Sequence, residues 1–263
     1  MCAVSYLNTV PLVWGLLHDP AQQGLFDLRF ALPSDCAAQL ASGAADIGII
    51  PVIEMARQKL DYFRGTGISC HGPVRSILLI SKVPFQEIRT LATDSGSRSS
   101  VMLSRIILAE KFGLRDDKAP RLVSLSPDLA AMLGQADAAL LIGDAALRVD
   151  PQTLPFQTLD LGEEWNNLTG LPMVFAVWAG RKEVLRPEFG AALLDSLHYG
   201  QAHIEALVRH ESQTRNFPEP LVRKYLTEHI VCELGERDYA GLELYLKHAA
   251  ALEHAVLSGG ARV

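Results

Sequence analysis

The sequence is poor in cysteine and has no long apolar run. Its 263 residues include four cysteines, no two of which form a C-x-x-C pair, so neither a zinc site nor a disulfide framework is expected. No window reaches the roughly 18 uninterrupted apolar residues that a membrane-spanning helix needs. The chain starts without the basic segment and apolar stretch of a secretory signal, and this favours the cytoplasm.

Positive charge is not in excess, and the common catalytic motifs are missing. Lys and Arg number 24 against 30 Asp and Glu, a net charge of −6 without a long basic run, which argues against a nucleic-acid partner. The eight histidines form no H-E-x-x-H or Cys/His metal motif, and there is no G-x-S-x-G nucleophile elbow. Cys70 and His71 are neighbours, but adjacent residues on an extended chain point to opposite faces, so they are not expected to act as nucleophile and base.

What the sequence does contain is typical of a two-lobed α/β protein. With 49% hydrophobic residues, the chain can bury a substantial core. Up to about residue 180, short apolar runs alternate with amphipathic segments, as in βα units around largely parallel sheets. Residues 187–209, 218–229 and 236–257 then read as three helices, and residues 258–263, with two glycines, read as a frayed tail.

One stretch of the chain echoes another. Residues 40–51 and residues 133–143 each read as the end of a helix, a tight turn with an Asp (Asp46 or Asp137), and then a continuous apolar strand. Such a strand suits the middle of a sheet that is covered on both faces. The echo indicates one copy in each lobe, unless it is chance similarity between two segments rich in Ala and Leu.

The lobe boundaries are predicted from two strands that run on into connectors, at residues 77–80 and 174–178. If these are the crossings, lobe one comprises residues 1–82 and 179–263, with the C-terminal helices packed on it. Lobe two is then the inserted stretch 83–178. Ligands of open α/β sheets bind at the carboxyl ends of strands, so the expected site is the cleft between the lobes.

The turn after the first short strand is the first candidate for the site. Tyr6, Leu7 and Asn8 precede Pro11, which is well placed to open a helix. The Asn8 amide can donate and accept hydrogen bonds, which suits a hydroxyl or carboxylate. The alternative is that Asn8 or Thr9 simply caps the helix.

A second candidate is Ser76, which stands at the start of the strand at residues 77–80 and close to the expected hinge. Its hydroxyl could meet a ligand in the cleft. Its neighbour Arg75 is interpreted either as a contact to an anionic ligand or, in the simpler reading, as a solvated edge residue.

The strongest candidate for an anion site is the serine-rich segment at residues 94–100, directly ahead of an amphipathic run. Hydroxyls and free backbone N–H groups would meet there at one helix start, which binds carboxylates or phosphates through N–H donors and the helix dipole. The alternative is an ordinary capped helix, and the spacing does not match a nucleotide loop. The candidate ligand-binding residues are Ser97, Arg98, Ser99 and Ser100.

Ile142, Gly143 and Asp144 offer a further set of N–H groups, because they end one strand and start the next helix. Asp144 is interpreted as the N-cap of that helix. A carboxylate at this position could also act as a base, but its charge would repel an anionic ligand.

Together these segments resemble the menaquinone-biosynthesis family with a periplasmic-binding-protein-like fold, and within it the chorismate dehydratases. Their order and spacing cover about residues 3–180, and the helical C-terminal part is compatible but less diagnostic. The combination is specific, whereas any one segment alone would be weak. The matching segments are VSYLNTVPL (4–12), ADIGIIP (45–51), GPVRS (72–76), SRSS (97–100), DAALLIGD (137–144) and DLGEEWNNLTGLPMVFAVW (160–178).

The resemblance implies a type II periplasmic-binding-protein fold and a hydro-lyase activity without a redox or metal cofactor. Chorismate, a dicarboxylate, would lose water to give 3-[(1-carboxyvinyl)oxy]benzoate, driven by aromatisation of the ring. Asn8 and Ser76 match the residues that act on the reacting ring and its leaving hydroxyl, and residues 97–100 would hold a carboxylate. The proton would pass to the substrate's own enolpyruvyl carboxylate, and lobe closure would exclude water.

The sequence departs from the family pattern in two places. The residues before the first strand are nearly missing, and the cluster at residues 97–100 reads Ser-Arg-Ser-Ser where Ser-Arg-Thr-Ser is commoner. Two other functions stay open: a solute-binding protein for a small carboxylate, and an enzyme like 1,4-dihydroxy-6-naphthoate synthase. The sequence does not predict the oligomeric state.

Overall fold

The computed structural model describes residues 1–94 and 96–259, with side chains up to residue 254. Ser95 of the serine-rich segment and residues 260–263 of the expected tail lie outside the described residues. The strands are β1 (Cys2–Val4), β2 (Arg29–Ala31), β3 (Ile47–Pro51), β4 (Asp61–Cys70), β5 (Ile77–Ser81), β6 (Thr90–Asp94), β7 (Arg121–Leu125), β8 (Ala138–Ile142), β9 (Gln157–Asp160), β10 (Met173–Gly180) and β11 (Val231–Glu233).

Helices flank these strands, and most connect one strand to the next. The α-helices are α1 (Val10–His18), α2 (Pro33–Ser42), α3 (Val52–Arg57), α4 (Ser99–Phe112), α5 (Leu129–Gln135), α6 (Gly143–Leu147), α7 (Leu161–Thr169), α8 (Pro187–Ala202), α9 (Ile204–Arg215), α10 (Glu219–Lys224) and α11 (Glu236–Gly259). A 3-10 turn at Leu7–Thr9 leads into α1, and a π-helix at Tyr225–His229 continues α10. Within the described part of the chain, no helix is long and apolar enough to cross a membrane.

The strands form two mixed sheets. The first has six strands in the order β11-β4-β10-β3-β1-β2, and the second has five in the order β7-β6-β8-β5-β9. In each sheet a parallel unit, β2-β1-β3 or β7-β6-β8, is extended by an antiparallel strand, β10 or β5. The α/β architecture with two sheets agrees with the fold class predicted from the sequence.

The chain passes between the sheets at other points than the predicted lobe boundaries. The boundaries placed residues 77–82 in lobe one and residues 173–178 in lobe two. Instead, β5 pairs with β8 and β9 in the second sheet, and β10 pairs with β3 and β4 in the first. Both strands are buried at every position, so their sequences mark them as buried strands without saying which sheet they join. We propose that the lobes divide at the β4–β5 and β9–β10 connections.

The two echoing segments fall one in each sheet. Each ends in a strand that is buried at every position, β3 in the first sheet and β8 in the second. The main hydrophobic core is continuous across both sheets, and a smaller cluster covers the other face of the second sheet. Along β5, Ile77 and Leu79 enter the main core, whereas Leu78 and Ile80 enter the smaller cluster, as the alternation of a strand requires.

The C-terminal helices differ in detail from the prediction. The helix expected at residues 187–209 is two helices, α8 and α9, because His203 between them leaves the helical conformation. The segment expected to be a helix at residues 218–229 changes from α10 to a π-helix at Tyr225, and a short strand, β11, follows it. This region packs mainly on the first sheet and its helices: α8 lies against α1 and β4, and α11 lies against β10.

Candidate active site

A cavity that is partly open to solvent lies between the two sheets. Of the eleven site residues predicted from the sequence, nine line this cavity: Tyr6, Asn8, Ser76, Ser97, Arg98, Ser99, Ser100, Ile142 and Gly143. The lining that the sequence did not point to is mostly apolar and includes Pro33, Pro51, Ile68, Val74 and Phe175.

The turn at Leu7–Thr9 presents Asn8 to the cavity. Pro11 lies in the first turn of α1, and no side chain caps that helix, so the capping alternative for Asn8 or Thr9 does not describe the structure. The Asn8 Oδ1 atom accepts a long hydrogen bond of 3.4 Å from the Thr9 hydroxyl, and its amide nitrogen carries two hydrogens that it can donate. Leu7 is fully buried in the core and does not line the cavity.

Ser76 lies on the crossing from β4 to β5, where its backbone is tied to both sides. Its N–H donates to the Val74 carbonyl at 2.7 Å, and its carbonyl accepts the Gly143 N–H at 2.8 Å. The side chain is only 1% exposed, and its hydroxyl accepts a 2.8 Å hydrogen bond from the Tyr225 hydroxyl. Ser76 is therefore held by groups from three separate parts of the chain.

Arg75 supports this crossing and does not enter the cavity. Its guanidinium donates to the carbonyls of Ala146 and Val149 at the C-terminal end of α6. Its backbone is left-handed, with φ of +64°, and the Asp160 carboxylate accepts the N–H groups of Val74 and Arg75 at 2.9 and 2.6 Å. Arg75 is therefore neither a contact to a ligand in the cavity nor a solvated edge residue, because its guanidinium donates to backbone carbonyls.

The serine-rich segment leads into α4, which begins at Ser99. No side chain caps this helix start, so the ordinary capped helix is not what forms here. The Ser99 hydroxyl donates to the Phe175 carbonyl at 3.2 Å and accepts the Ile53 N–H at 3.4 Å, which ties α4 to the first sheet. The backbone N–H groups of the first helical turn are left to bind an anion.

Ser97 differs from Ser99 in having no such partner. Its hydroxyl oxygen is buried and makes no hydrogen bond with any described residue. A buried hydroxyl without a partner costs roughly 1–3 kcal/mol, so its retention beside a cavity points to a ligand that supplies the bond. Arg98 next to it is exposed and, among the described residues of the lining, is the one with a charge at neutral pH. This side of the cavity suits a carboxylate.

Asp144 has a different place from the one predicted. It is the second residue of α6, and the N-cap position is taken by Ile142 without a side-chain cap. The Asp144 carboxylate instead accepts the Leu7 N–H at 3.0 Å and pairs with Arg215 at 2.5 Å. The N-cap interpretation was wrong because donors from the other side of the cleft take this carboxylate. Asp144 does not line the cavity, and its predicted contact with a ligand stays a prediction.

Tyr6 and Gly143 meet across the cleft. Gly143 has a φ of +56°, and a Cβ atom there would come within 2.8 Å of the Tyr6 ring. Glycine is therefore required both by the backbone conformation and by the packing. Burial raises the pKa of Tyr6 far above its usual value, and the nearby carboxylates of Asp94 and Asp144 add to the rise. Tyr6 remains a neutral hydrogen-bond donor at the edge of the cavity.

Cys70 and His71 do not act as a pair. Burial raises the pKa of the Cys70 thiol to about 12, which keeps it protonated. The His71 ring points elsewhere, with Nε2 at 3.0 Å from the Asp238 carboxylate. Among the described residues, no group of three or more His, Cys, Asp or Glu side chains is placed to hold a metal ion.

Tyr225 is the residue near the site that the sequence did not reveal. It lies at the start of the π-helix, is 1% exposed, and reaches Ser76 from 149 positions further along the chain. The sequence places it within an ordinary helical pattern, which carries no signal for a polar contact so far away in sequence.

Two sheets joined by two crossings, with a cavity between them, define a periplasmic-binding-protein-like α/β protein. The structure is similar to protein AF1704 from Archaeoglobus fulgidus, with a TM-score of 0.76, 15% identity, and coverage of 95% of this chain and 96% of that one. It is also similar to the periplasmic aliphatic sulphonate binding protein SsuA from Escherichia coli, with a TM-score of 0.64, 16% identity, and coverage of 97% and 91%.

Sequence comparison gives the family. The chain belongs to the menaquinone biosynthesis family, whose model matches residues 1–251. A relative from Thermus thermophilus, named chorismate dehydratase, is 25% identical over 258 residues, covering 91% of each chain. A relative of the same name from Campylobacter jejuni is 24% identical over 258 residues, covering 95% of this chain and 96% of that one.

Proposed function

We propose that this protein is a chorismate dehydratase, a hydro-lyase that converts chorismate to 3-[(1-carboxyvinyl)oxy]benzoate and water. The observation that carries the proposal is the composition of the cavity. Asn8 and Ser76 offer hydrogen bonds suited to a hydroxyl, while Ser97, Arg98 and the start of α4 offer donors suited to a carboxylate. Chorismate has both kinds of group, and the hydroxyl is the one it loses.

The family and the two named relatives support this assignment. Both relatives match almost end to end, so the similarity is not confined to one lobe. Membership of a menaquinone biosynthesis family also supports a biosynthetic substrate over a transported solute. Because the proposed function is biosynthetic, we propose the cytoplasm as its compartment.

The proposed chemistry breaks one C–O bond and one C–H bond of the ring. The hydroxyl leaves with the C–O electron pair, assisted by a hydrogen bond from Ser76, and Asn8 orients the ring. The ring proton is removed, and its electron pair completes the aromatic system. Proton and hydroxide together make the released water. The driving force is aromatisation, so the protein needs chiefly to position the groups.

The proton acceptor in this proposal is the substrate's own enolpyruvyl carboxylate. The cavity lining contains no Asp, Glu, His or Lys within the described residues, which supports a base supplied by the substrate. The contacts of Asp144 with Leu7 and Arg215 hold the two sides of the cleft together, which favours the exclusion of water during this step.

The test is to incubate the purified protein with chorismate and follow the mixture by chromatography with mass detection. The proposal expects a species lighter by one water, with the absorbance of a benzoate, that forms about a thousandfold more slowly with Ser76→Ala. If chorismate is bound and returned unchanged, a solute-binding function takes the place of the enzyme. If chorismate is not bound at all, a larger ligand such as that of the 1,4-dihydroxy-6-naphthoate synthase reaction is the next candidate.

A further inference from the structure

The C-terminal helical region places one polar side chain behind the wall of the cavity. Tyr225 stands where α10 turns into the π-helix, a rare conformation that is frequent at functional sites. Its hydroxyl donates to the Ser76 Oγ atom at 2.8 Å, and both groups are buried. Tyr225 itself does not line the cavity. It therefore acts on the cavity through Ser76.

The segment that carries Tyr225 is anchored to the same crossing as Ser76. At the end of the π-helix, the His229 Nδ1 atom lies 3.0 Å from the Pro73 carbonyl oxygen. The next segment, β11, pairs with β4, the strand from which the crossing starts. The distance between Tyr225 and Ser76 is thus fixed by contacts on both sides of the hydrogen bond.

The Tyr225 phenol also interacts with Asn8. Burial raises the pKa of Tyr225 far above its usual value, while hydrogen bonds with Ser76 and Asn8 oppose the rise. The phenol therefore stays protonated across the working pH range and remains a donor. In its 2.8 Å hydrogen bond with Ser76, the phenol is the donor.

The direction of the hydrogen bond from Tyr225 decides whether the Ser76 hydroxyl can donate to a ligand. A serine hydroxyl has one hydrogen to donate and two lone pairs to accept with. Because Tyr225 donates to Ser76, one lone pair is occupied, and the single hydrogen of Ser76 is left to point into the cavity. Without Tyr225, the hydroxyl is free to rotate and to satisfy itself elsewhere.

We propose that Tyr225 is a positioning residue that holds the Ser76 hydroxyl as a hydrogen-bond donor toward the group that leaves the substrate. This inference rests on the proposed function, since it assigns Ser76 the hydroxyl lost by chorismate. It also gives the C-terminal helices, which the sequence marks as the least diagnostic part, a direct effect on turnover.

The test compares Tyr225→Phe with the wild type in chorismate turnover. The variant keeps the buried ring and removes only the donor, so we expect kcat to fall about 100-fold with KM changed little, as for a misplaced reacting group. Tyr239→Phe is the matched control. That tyrosine is also buried, and its hydroxyl accepts the Gly65 N–H at 2.6 Å. Neither residue lines the cavity, so the kcat of Tyr239→Phe is expected to be unchanged.

A double variant separates positioning from general structural damage. If Tyr225 acts through Ser76, adding Tyr225→Phe to Ser76→Ala lowers kcat by no more than about twofold, because the interaction is already lost. If the loss of kcat in the double variant equals the product of the losses in the two single variants, the inference is overturned. So would a folded Tyr225→Phe with the kcat of the wild type.

Two further results keep the test decisive. If Tyr225→Phe does not fold, two other variants replace it: Tyr225→p-aminophenylalanine, which retains a hydrogen-bond donor, and Tyr225→p-methylphenylalanine, which has none. The first must turn chorismate over faster than the second. Equal rates would overturn the inference. If the wild type itself does not dehydrate chorismate, the proposed function fails and this inference falls with it. An active wild type with an unaffected Tyr225→Phe refutes the inference alone.

Discussion

On one wall of the cavity the central serine hydroxyl already has a partner, and on the other wall the corresponding serine hydroxyl has none among the described residues. We call the first the Ser76 wall, formed by Asn8, Ser76 and Tyr225 behind them, and the second the Ser97 wall, formed by Ser97, Arg98 and the first turn of α4. Ser76 accepts from Tyr225, whereas the Ser97 hydroxyl is buried without a partner in the described part of the chain. A group with a hydrogen-bond partner is oriented before the substrate binds, whereas a group without a partner gains its hydrogen bond from the substrate.

This difference predicts separate kinetic effects for the two walls. The Ser76 wall acts on the reacting bond, so its loss lowers kcat. The Ser97 wall binds a group that does not react, so its loss raises KM and leaves kcat nearly unchanged.

Ser76→Ala is expected to show the largest effect. Removal of a donor aimed at the leaving group lowers kcat about a thousandfold. KM for chorismate is expected to stay near the wild-type value, because Ser76 is not assigned to a binding contact. Steady-state kinetics measure both constants. If KM rises and kcat is retained, Ser76 contributes to substrate binding, and the two walls do not have separate kinetic effects.

Ser97→Ala is expected to raise KM about tenfold, the effect of one lost hydrogen bond to a charged group, with kcat nearly unchanged. The same change is expected to stabilise the free protein by about 1 kcal/mol, because it removes a buried hydroxyl that has no partner. Thermal unfolding without ligand measures this second effect.

Ser196 offers the matched control for that stability effect. Its buried hydroxyl donates to the Leu12 carbonyl at 2.9 Å and accepts the Leu16 N–H at 3.0 Å. Ser196→Ala is therefore expected to lower the melting temperature, where Ser97→Ala raises it. Two serine variants that both destabilise the protein would show that Ser97 is satisfied in solution.

Arg215→Gln tests the contact that holds the two walls together. Arg215 pairs with Asp144 across the cleft, and it is held in place by Glu211 at 2.6 Å and the Ser5 carbonyl at 2.9 Å. Loss of a partly exposed ion pair of about 1 kcal/mol is expected to lower kcat/KM up to about fivefold, through a less closed cleft. Small-angle scattering of the free protein is expected to show a larger radius of gyration.

The control for Arg215 is Arg223, whose ion pair with Glu205 joins two neighbouring helices away from the cleft. Arg223→Gln is expected to leave both kcat/KM and the scattering curve unchanged. If the two variants behave alike, the pair between Arg215 and Asp144 does not control closure.

Substitutions of Asp137 and Asp46, the two aspartates of the echoing segments, are expected to change the stability of the protein by different amounts and to leave its kcat unchanged. The Asp137 carboxylate accepts the N–H groups of Arg89 and Thr90 and the Thr90 hydroxyl at 2.9–3.0 Å. Within the described part of the chain, the Asp46 carboxylate has a long contact of 3.5 Å to Arg181 at the surface. Asp137→Asn is expected to lower the free energy of unfolding by about 1–2 kcal/mol and Asp46→Asn by less than about 0.5 kcal/mol.

The pH dependence of Asp137 has a definite sign. Burial acts to raise its pKa, but the hydrogen bonds from Thr90 and Arg89, with the charge of Lys82, hold the pKa below its usual value. A carboxyl group with a lowered folded-state pKa contributes stability above its unfolded pKa, near 3.9, and loses it as the pH falls through the folded value. Urea unfolding is therefore expected to show a smaller difference between wild type and Asp137→Asn at acid pH than at pH 7.

The sequence predicted the parts of the site that depend on local order. Asn8, Ser76 and residues 97–100 all follow or precede short apolar strands, and polar groups at such positions meet at one cleft. The structure places all of them on the lining of one cavity. Their roles stay predictions until they are measured.

The contacts that the sequence did not predict are those between distant segments. Tyr225 and Ser76 are 149 positions apart, and Arg215 and Asp144 are 71 positions apart. Helical or strand periodicity reports which face of an element is buried, and it carries no information about the partner of a single polar side chain. For the same reason, the sequence did not show which sheet each of two fully buried strands, β5 and β10, joins.

A crystal structure of Ser76→Ala with chorismate bound would show directly which wall meets which group, since this variant is expected to bind the substrate and to turn it over very slowly. We expect the ring hydroxyl to face Asn8 and the position of the missing Ser76 hydroxyl, and a carboxylate to meet Ser97 and the start of α4. A ligand bound outside this cavity, or one with its carboxylate on the Ser76 wall, would contradict the proposed roles of both walls.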